Sequence, residues 1–319
     1  MERLLRYFTD GIEEYPFADT VGMEVETMFV DRTGQPMSLE CSQRLIAAFQ
    51  KNIGWRVAAT RGNLVVEIRS PDGKDKLLYE LGRHNIEIST GPRRLSDRIS
   101  GSPIPVMKEY LSRLYEIGKM LGLSPLFLPV LFPETEENLL VIPDERDAVW
   151  LELDGRKALE LLTRCSSVQF TIDVPPDQAI CCLNRLGRQI GWFLQLYPQE
   201  ELWRRYIHES KARYHPQRYG GPLFFRDFTD YCRKLSIHDI VIGTRLVPIA
   251  ATENLDIPLY LRSVWWYFRL RRYGKRLCIE VRPLPRMRDS RFASTMEITL
   301  LIMESSEWDD EFPFDSERQ

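Results

Sequence analysis

No stretch of this 319-residue chain is apolar for long enough to cross a bilayer. The most apolar run, residues 122–132, is cut by Pro125 and Pro129 and falls short of the ~20 residues a spanning helix needs. An excess of charge of one sign is missing too. Lys plus Arg (43) against Asp plus Glu (46) leaves −3, which provides no global basic field for a nucleic acid backbone. The six cysteines, Cys41, Cys165, Cys181, Cys182, Cys232 and Cys278, form no CxxC pair and no disulfide framework, so reduced, mostly buried thiols are expected. Four histidines (His84, His208, His215, His238) lack metal-ligand spacing, which argues against zinc. The phosphate-binding and nucleophile motifs GxxxxGK[ST], GxGxxG and GxSxG are all absent. So are internal repeats and Gly/Ser-rich linkers. The first 17 residues carry Glu2, Asp10, Glu13 and Glu14 rather than a basic start and an apolar run, so a cytoplasmic protein is the expectation.

What remains is an ordinary globular composition, 44% apolar, 28% charged and 11% aromatic. It reads as one domain over residues 1–303. Residues 304–319 follow, with seven acids against the single base Arg318, and read as a flexible acidic tail. Helical periodicity marks residues 103–121, with Ser102 as N-cap, residues 177–197, with Asp177 as cap, and residues 294–304. The proline-bearing stretches 125–143 and 216–222 read as loops. Between residues 269 and 291, nine Lys or Arg face only Glu280 and Asp289, a pattern suited to phosphate groups.

The strongest signal is strict alternation in four short segments, since a period of two puts every second side chain on one face of a sheet. Residues 21–30 project Glu24 and Glu26 together, about 6–7 Å apart, with Met23, Val25, Thr27 and Phe29 opposite. Residues 85–89 put Asn85, Glu87 and Ser89 on one side, and Glu80 lies seven residues before Glu87. Residues 167–174 give Ser167, Gln169, Thr171 and Asp173 one face, and residues 277–282 give it to Cys278, Glu280 and Arg282. If these strands are neighbours, the gathered acids repel one another and require a cation among them. Oxygen donors alone select Mg²⁺ or Mn²⁺. Such ions beside an arginine suit a nucleoside triphosphate, whose migrating phosphoryl group Arg282 can hold bidentately.

These segments resemble the ATP-dependent carboxylate-amine ligases typified by glutamate–cysteine ligase, which share a catalytic fold with glutamine synthetase. Gly22-Met23-Glu24-Val25-Glu26 is similar to the family's GxExE opening strand. Residues 80–90 resemble its next acidic motif, Cys165 to Asp173 its C-T-V-Q-V-N-L-D strand, and Cys278-Ile279-Glu280-Val281-Arg282 its late I-E-V-R strand. The chain departs from the pattern at Val168 and Phe170, where one branch has paired histidines, and at Thr171, where another has asparagine.

The resemblance implies an α+β fold, a curved antiparallel sheet forming a funnel with helices packed on its outer face. It implies ATP with two or three Mg²⁺ ions, or Mn²⁺ in their place. Metal contacts would come from Glu24, Glu26, Glu80, Glu87, Gln169 and Glu280, the nucleotide contacts from Gln169 and Arg282, and the catalytic set would be Arg282, Glu26 and Glu280. The implied reaction activates a carboxylate, usually the glutamate γ-carboxylate, as an acyl phosphate that an amine then attacks. Substrates would be small amino acids or peptides, with neither nucleic acid nor membrane as partner and a homodimer left open. A kinase on the same scaffold and a non-catalytic nucleotide-binding relative are the alternatives.

Residues 64–70, with Glu67 and Arg69 on one side, read as a strand, in the plainer case an edge strand; beside the nucleotide, Glu67 would contact it. His84 reads as a hydrogen-bonding turn residue, Cys165 as packing, and Trp265 and Trp266 in the plainer case as core or interface, in the sharper one as rings that stack on a ligand.

Overall fold

The structure is a computed structural model, and it describes residues 1–95, 102–131, 140–252 and 254–305. The strands in chain order are β1 Thr20–Val30, β2 Arg56–Arg61, β3 Leu64–Arg69, β4 Lys76–Tyr79, β5 Asn85–Arg94, β6 Ser124–Leu126 and β7 Ser167–Asp173. They continue as β8 Tyr219–Gly220, β9 Ile240–Ile242, β10 Arg245–Val247, β11 Trp265–Trp266, β12 Phe268–Tyr273 and β13 Arg276–Pro285. Nine of them make one antiparallel sheet in the order β12-β13-β7-β1-β5-β4-β3-β2, with β6 also on β1. The sheet is open, with β12 and β2 as its edges. The four alternating segments are therefore its four central neighbours, β13, β7, β1 and β5.

Alternation divides the sheet's faces as period two demands. Val21, Met23, Val25, Ile86, Ile88, Val168, Phe170, Ile172, Ile279 and Val281 lie fully buried on one face. Helices cover that face because each carries its own apolar stripe. Helix Pro103–Met120 lays Met107, Leu111 and Leu114 on β5 and β1, and helix Leu39–Ile53 packs on β3 and on the first helix. The helices Ala179–Arg188 and Ile190–Gln195 cover β13. Among the described residues no helix is long and apolar enough to cross a membrane.

The Ser102 cap is present, its hydroxyl accepting from the Ile104 N–H at 3.4 Å. The segment 177–197 is two helices rather than one, broken at Gln189, and Asp177 does not cap it: the helix starts at Ala179 after Gln178. Just before the break the helix packs closely on a neighbouring segment: an added Cβ on Gly187 would sit 2.1 Å from the Leu223 carbonyl oxygen. Strand β3 is not an edge; it runs between β2 and β4. The 216–222 segment is more than a loop, because Tyr219–Gly220 pairs parallel with Trp265–Trp266. Of the expected acidic tail, Glu304 ends the last helix, Phe292–Glu304, and residues 306–319 lie outside the described residues.

The Gly220-Gly221 pair lets that short β8–β11 ribbon close. Both have positive φ, +75° and +74°, and an added Cβ on Gly221 would meet Trp266 Cγ at 2.3 Å. Gly221→Ala is expected to cost about 2–4 kcal/mol in chemical denaturation. A loss below about 0.5 kcal/mol, the range of ordinary surface changes, would show that the ribbon yields there.

Candidate functional site

The polar face of the sheet forms the floor of a cleft of about 690 Å³. Cross-strand register brings its charges together. Glu26 on β1 sits directly opposite Glu87 on β5, and Glu24 lies between Ser89 of β5 and Gln169 of β7. Like charges directly opposite destabilise a sheet, so this pairing costs stability whenever both groups are ionised. Glu80 joins from the turn after β4. Oxygens of Glu26, Glu80 and Glu87 all lie within 4.8 Å of one another.

Each acid is held by a separate set of donors. Glu26 accepts from the Ser167 N–H at 2.9 Å, the Ser167 hydroxyl at 2.7 Å and the Gln169 amide at 3.3 Å. Glu87 accepts from the Ser89 hydroxyl and lies 3.9 Å from Lys76 Nζ. Glu80 is positioned through its backbone: Arg146 donates to the Glu80 carbonyl at 3.1 Å and the Tyr79 carbonyl at 3.4 Å.

The remaining expected site residues lie on the same face. Arg282 donates to Gln169 Oε1 at 2.8 Å, and Gln169 in turn donates to Glu26, so a hydrogen-bonded chain links the guanidinium to the carboxylate cluster. Glu280 stands outside that cluster. It is ion-paired with Arg269, its register partner on β12, and lies 3.4 Å from Arg282. Glu67 lines the cleft from β3 and pairs with Arg69. The basic cluster of 269–291 divides: Arg269, Arg271 and Arg282 line the cleft. Arg276 instead binds Asp19 and Asp173, and Arg286 is buried against Asp289.

The electrostatics follow from this geometry. Burial, with the nearby Glu87 charge, raises the Glu24 carboxyl to about 7. Burial, Glu80 and Glu87 push Glu26 well above the carboxylate range, and burial raises Glu87 although Lys76 opposes it. Burial would raise Glu280 as well, but Arg269, Arg282 and Arg271 override it and hold it at about 2.

A hard divalent cation fits this donor set. The converging ligands are oxygens only, and their mutual repulsion is what a 2+ charge relieves. Among the described residues neither sulfur nor imidazole joins the cluster. The Cys165 thiol donates to the Leu161 carbonyl at 3.6 Å, and burial raises its pKa. His84 is fully buried with no hydrogen-bond partner on either ring nitrogen among the described residues, and burial lowers its pKa to about 3. It is therefore a packed neutral ring rather than the hydrogen-bonding turn residue expected from its position.

In the metal-free chain these shifts set opposite pH dependences. Glu24 titrates at about 7 when folded against 4.5 unfolded, so its contribution is complete below pH 4.5 and is lost as pH rises through 7. Glu280, at about 2 when folded, contributes above pH 4.5, and that contribution is lost as pH falls toward 2. Without divalent ions, the melting temperature is expected to drop between about pH 5 and pH 8, and saturating Mg²⁺ to recover most of the drop. Equal drops with and without Mg²⁺ would contradict a metal at these carboxylates.

Sequence reasoning missed Arg146, Lys76 and, Trp265 apart, the aromatic side of the cleft. That side is built from Trp150, Trp203 and Tyr219 with Trp265, whose ring packs against Tyr206 and Tyr214. The packing expectation describes Trp266 well: it is fully buried, and its Nε1 donates to the Gln217 carbonyl at 2.9 Å.

No protein-family model matches the chain, and no curated protein matches it. Among solved structures the chain is similar to a glutamine synthase homologue, at 11% identity and TM-score 0.43 over 94% of this chain and 57% of that one. It is also similar to a bifunctional glutathione synthetase from Pasteurella multocida, at 10% identity and TM-score 0.47 over 96% and 40%. A third similar structure is a glutamate–cysteine ligase from Francisella tularensis in complex with AMP, at 9% identity and TM-score 0.46 over 91% and 67%. The chain thus spans between 40% and 67% of the length of these structures.

Proposed function

We propose that the chain is an ATP-dependent carboxylate-amine ligase whose catalytic domain spans residues 1–303. The observation that supports this reading best is the chain Arg282–Gln169–Glu26, which ends on the convergent carboxylates Glu26, Glu80 and Glu87. Glu24, Glu26, Glu80 and Glu87 would hold Mg²⁺, with Gln169 and Glu280 beside them. Bound there, the ions would neutralise the charge of the nucleotide's phosphates.

The protein's own contribution is positioning and charge. Arg282, oriented by Gln169 and Glu280, presents its guanidinium to the transferring phosphoryl group. Arg269, Arg271 and Lys76 add cationic charge to the same cleft. In the reaction proposed, a carboxylate oxygen bonds to the γ-phosphorus of ATP as the bond to ADP breaks. The amine nitrogen then bonds to the acyl carbon as phosphate leaves, and the amine gives up a proton.

The experiment is Mg²⁺-dependent ADP release with L-glutamate, alone and with L-cysteine and a panel of other amines, with products followed by mass spectrometry. ADP release that needs both acid and amine, with an amide product, is the expected result. A stable phosphorylated product without amide would make the chain a kinase. Mg-ATP binding without ADP release from any pair would make it a non-catalytic relative.

A further inference from the structure

We propose that the aromatic wall of the cleft is a subsite for an aromatic amino acid, with its ring against Trp150, Trp203 and Trp265 and its carboxylate at Arg262. This rests on the ligase reading, and it assigns one of the two substrates other than the nucleotide. The wall is continuous: ring centroids lie 6.2 Å apart for Trp150–Trp265 and 5.6 Å for Trp203–Trp265, and Trp203 stacks on Tyr219 at 5.1 Å with parallel planes. Its backing is complete without a ligand. Trp265 meets Tyr206 and Tyr214 edge-on at 5.5 Å each, the Tyr206 hydroxyl donates to buried Asp154 at 2.8 Å, and the Arg218 guanidinium lies 4.7 Å over Tyr214. At the other end, Glu200 accepts from the hydroxyls of Tyr219 at 2.6 Å and Tyr267 at 2.5 Å.

Trp150 and Trp203 are nonetheless only half-buried, and both line the cleft. Both pack against the hydrophobic core without being buried by it. A preformed planar surface costs little further ordering when a flat group settles on it, and stacking of that kind favours any π-face. The wall is also fastened to the reactive floor: Arg269, paired with Glu280, donates to the carbonyls of Leu261 and Val264, which flank Arg262 and precede Trp265. Arg262 itself is exposed, lines the cleft and has no ion-pair partner among the described residues, so its charge is available to a carboxylate. A small polar amino acid would leave the wall uncovered.

The test is calorimetric titration of L-phenylalanine, L-tryptophan and L-alanine into the full chain with Mg²⁺ and a non-hydrolysable ATP analogue. The aromatic amino acids are expected to bind at least about tenfold more tightly than L-alanine. Trp203→Ala should remove that advantage while Trp203→Phe keeps most of it, which separates loss of the surface from misfolding. Arg262→Ala should weaken L-phenylalanine but not phenethylamine, which lacks the carboxylate. Equal binding of L-phenylalanine and L-alanine would overturn the proposal and return the wall to packing. So would a Trp203→Ala variant that loses the ATP analogue but keeps Mg-tripolyphosphate, because the wall would then stack adenine. Aromatic binding without ADP release from any acid and amine would keep this subsite and remove the ligase reading.

Discussion

Arg282→Ala is expected to lower the rate of ADP release by about 10³-fold, while changing the apparent affinity for Mg-ATP only a few-fold. The asymmetry follows from its placement. Arg282 is held by Gln169 and lies 3.4 Å from Glu280, so its guanidinium is aimed and its cost of ordering is already met in the free chain. A group so placed favours the charge that develops on a transferring phosphoryl group more than the charge of the ground state. Arg282→Lys restores the charge but not the bidentate fork, and should recover only a small part of the rate. If both variants turned over within about tenfold of the parent, the cation acting on phosphate would have to be another that lines the cleft, such as Arg271 or Lys76.

The second large effect concerns Glu87. Glu87→Gln removes the charge directly opposite Glu26 and is expected to cut metal-dependent turnover by about 10²–10³-fold. It should also raise the stability of the metal-free chain by roughly 1 kcal/mol at neutral pH, because a buried repulsion is relieved. Losing activity while gaining stability is what a strained, functional cluster produces and what a structural ion pair does not. Glu26→Gln should lose activity similarly but gain less stability, since its carboxylate also accepts three hydrogen bonds from Ser167 and Gln169. A Glu87→Gln variant that is both less stable and fully active would mean that Lys76 and Ser89 hold Glu87 for the fold alone.

The central strands were legible because alternation is a local property: Glu24 and Glu26, Gln169 and Thr171, Glu280 and Arg282 share faces whatever the sheet's order. That β13, β7, β1 and β5 are consecutive neighbours is a fact of tertiary pairing, and it was inferred only through the chemistry that would need it. Glu67 was read as belonging to a strand but at a sheet edge, since nothing local to residues 64–70 reports that β2 continues past it. The division of Glu280 from the other acids depends on Arg269 standing opposite it across a hairpin, which register alone reveals. Arg146 left no trace, because a lone arginine in a helix looks like solvated surface, yet it fixes the backbone that carries Glu80. The aromatic wall was legible only at Trp265: Trp150, Trp203 and Trp265 come from three distant segments, each with an ordinary reason to hold a tryptophan.

The claim on which the account rests is that Glu26, Glu80 and Glu87 hold divalent metal for a bound nucleotide, and it can be tested without knowing either organic substrate. The measurement is Mn²⁺ titration followed by electron paramagnetic resonance, with and without a non-hydrolysable ATP analogue, on the parent and on the Glu26→Gln/Glu87→Gln double variant. The account predicts that the parent binds more Mn²⁺ than the nucleotide alone carries, and that the double variant loses this surplus while remaining folded. A parent that binds only the nucleotide's own Mn²⁺, with an affinity the double variant shares, would contradict it.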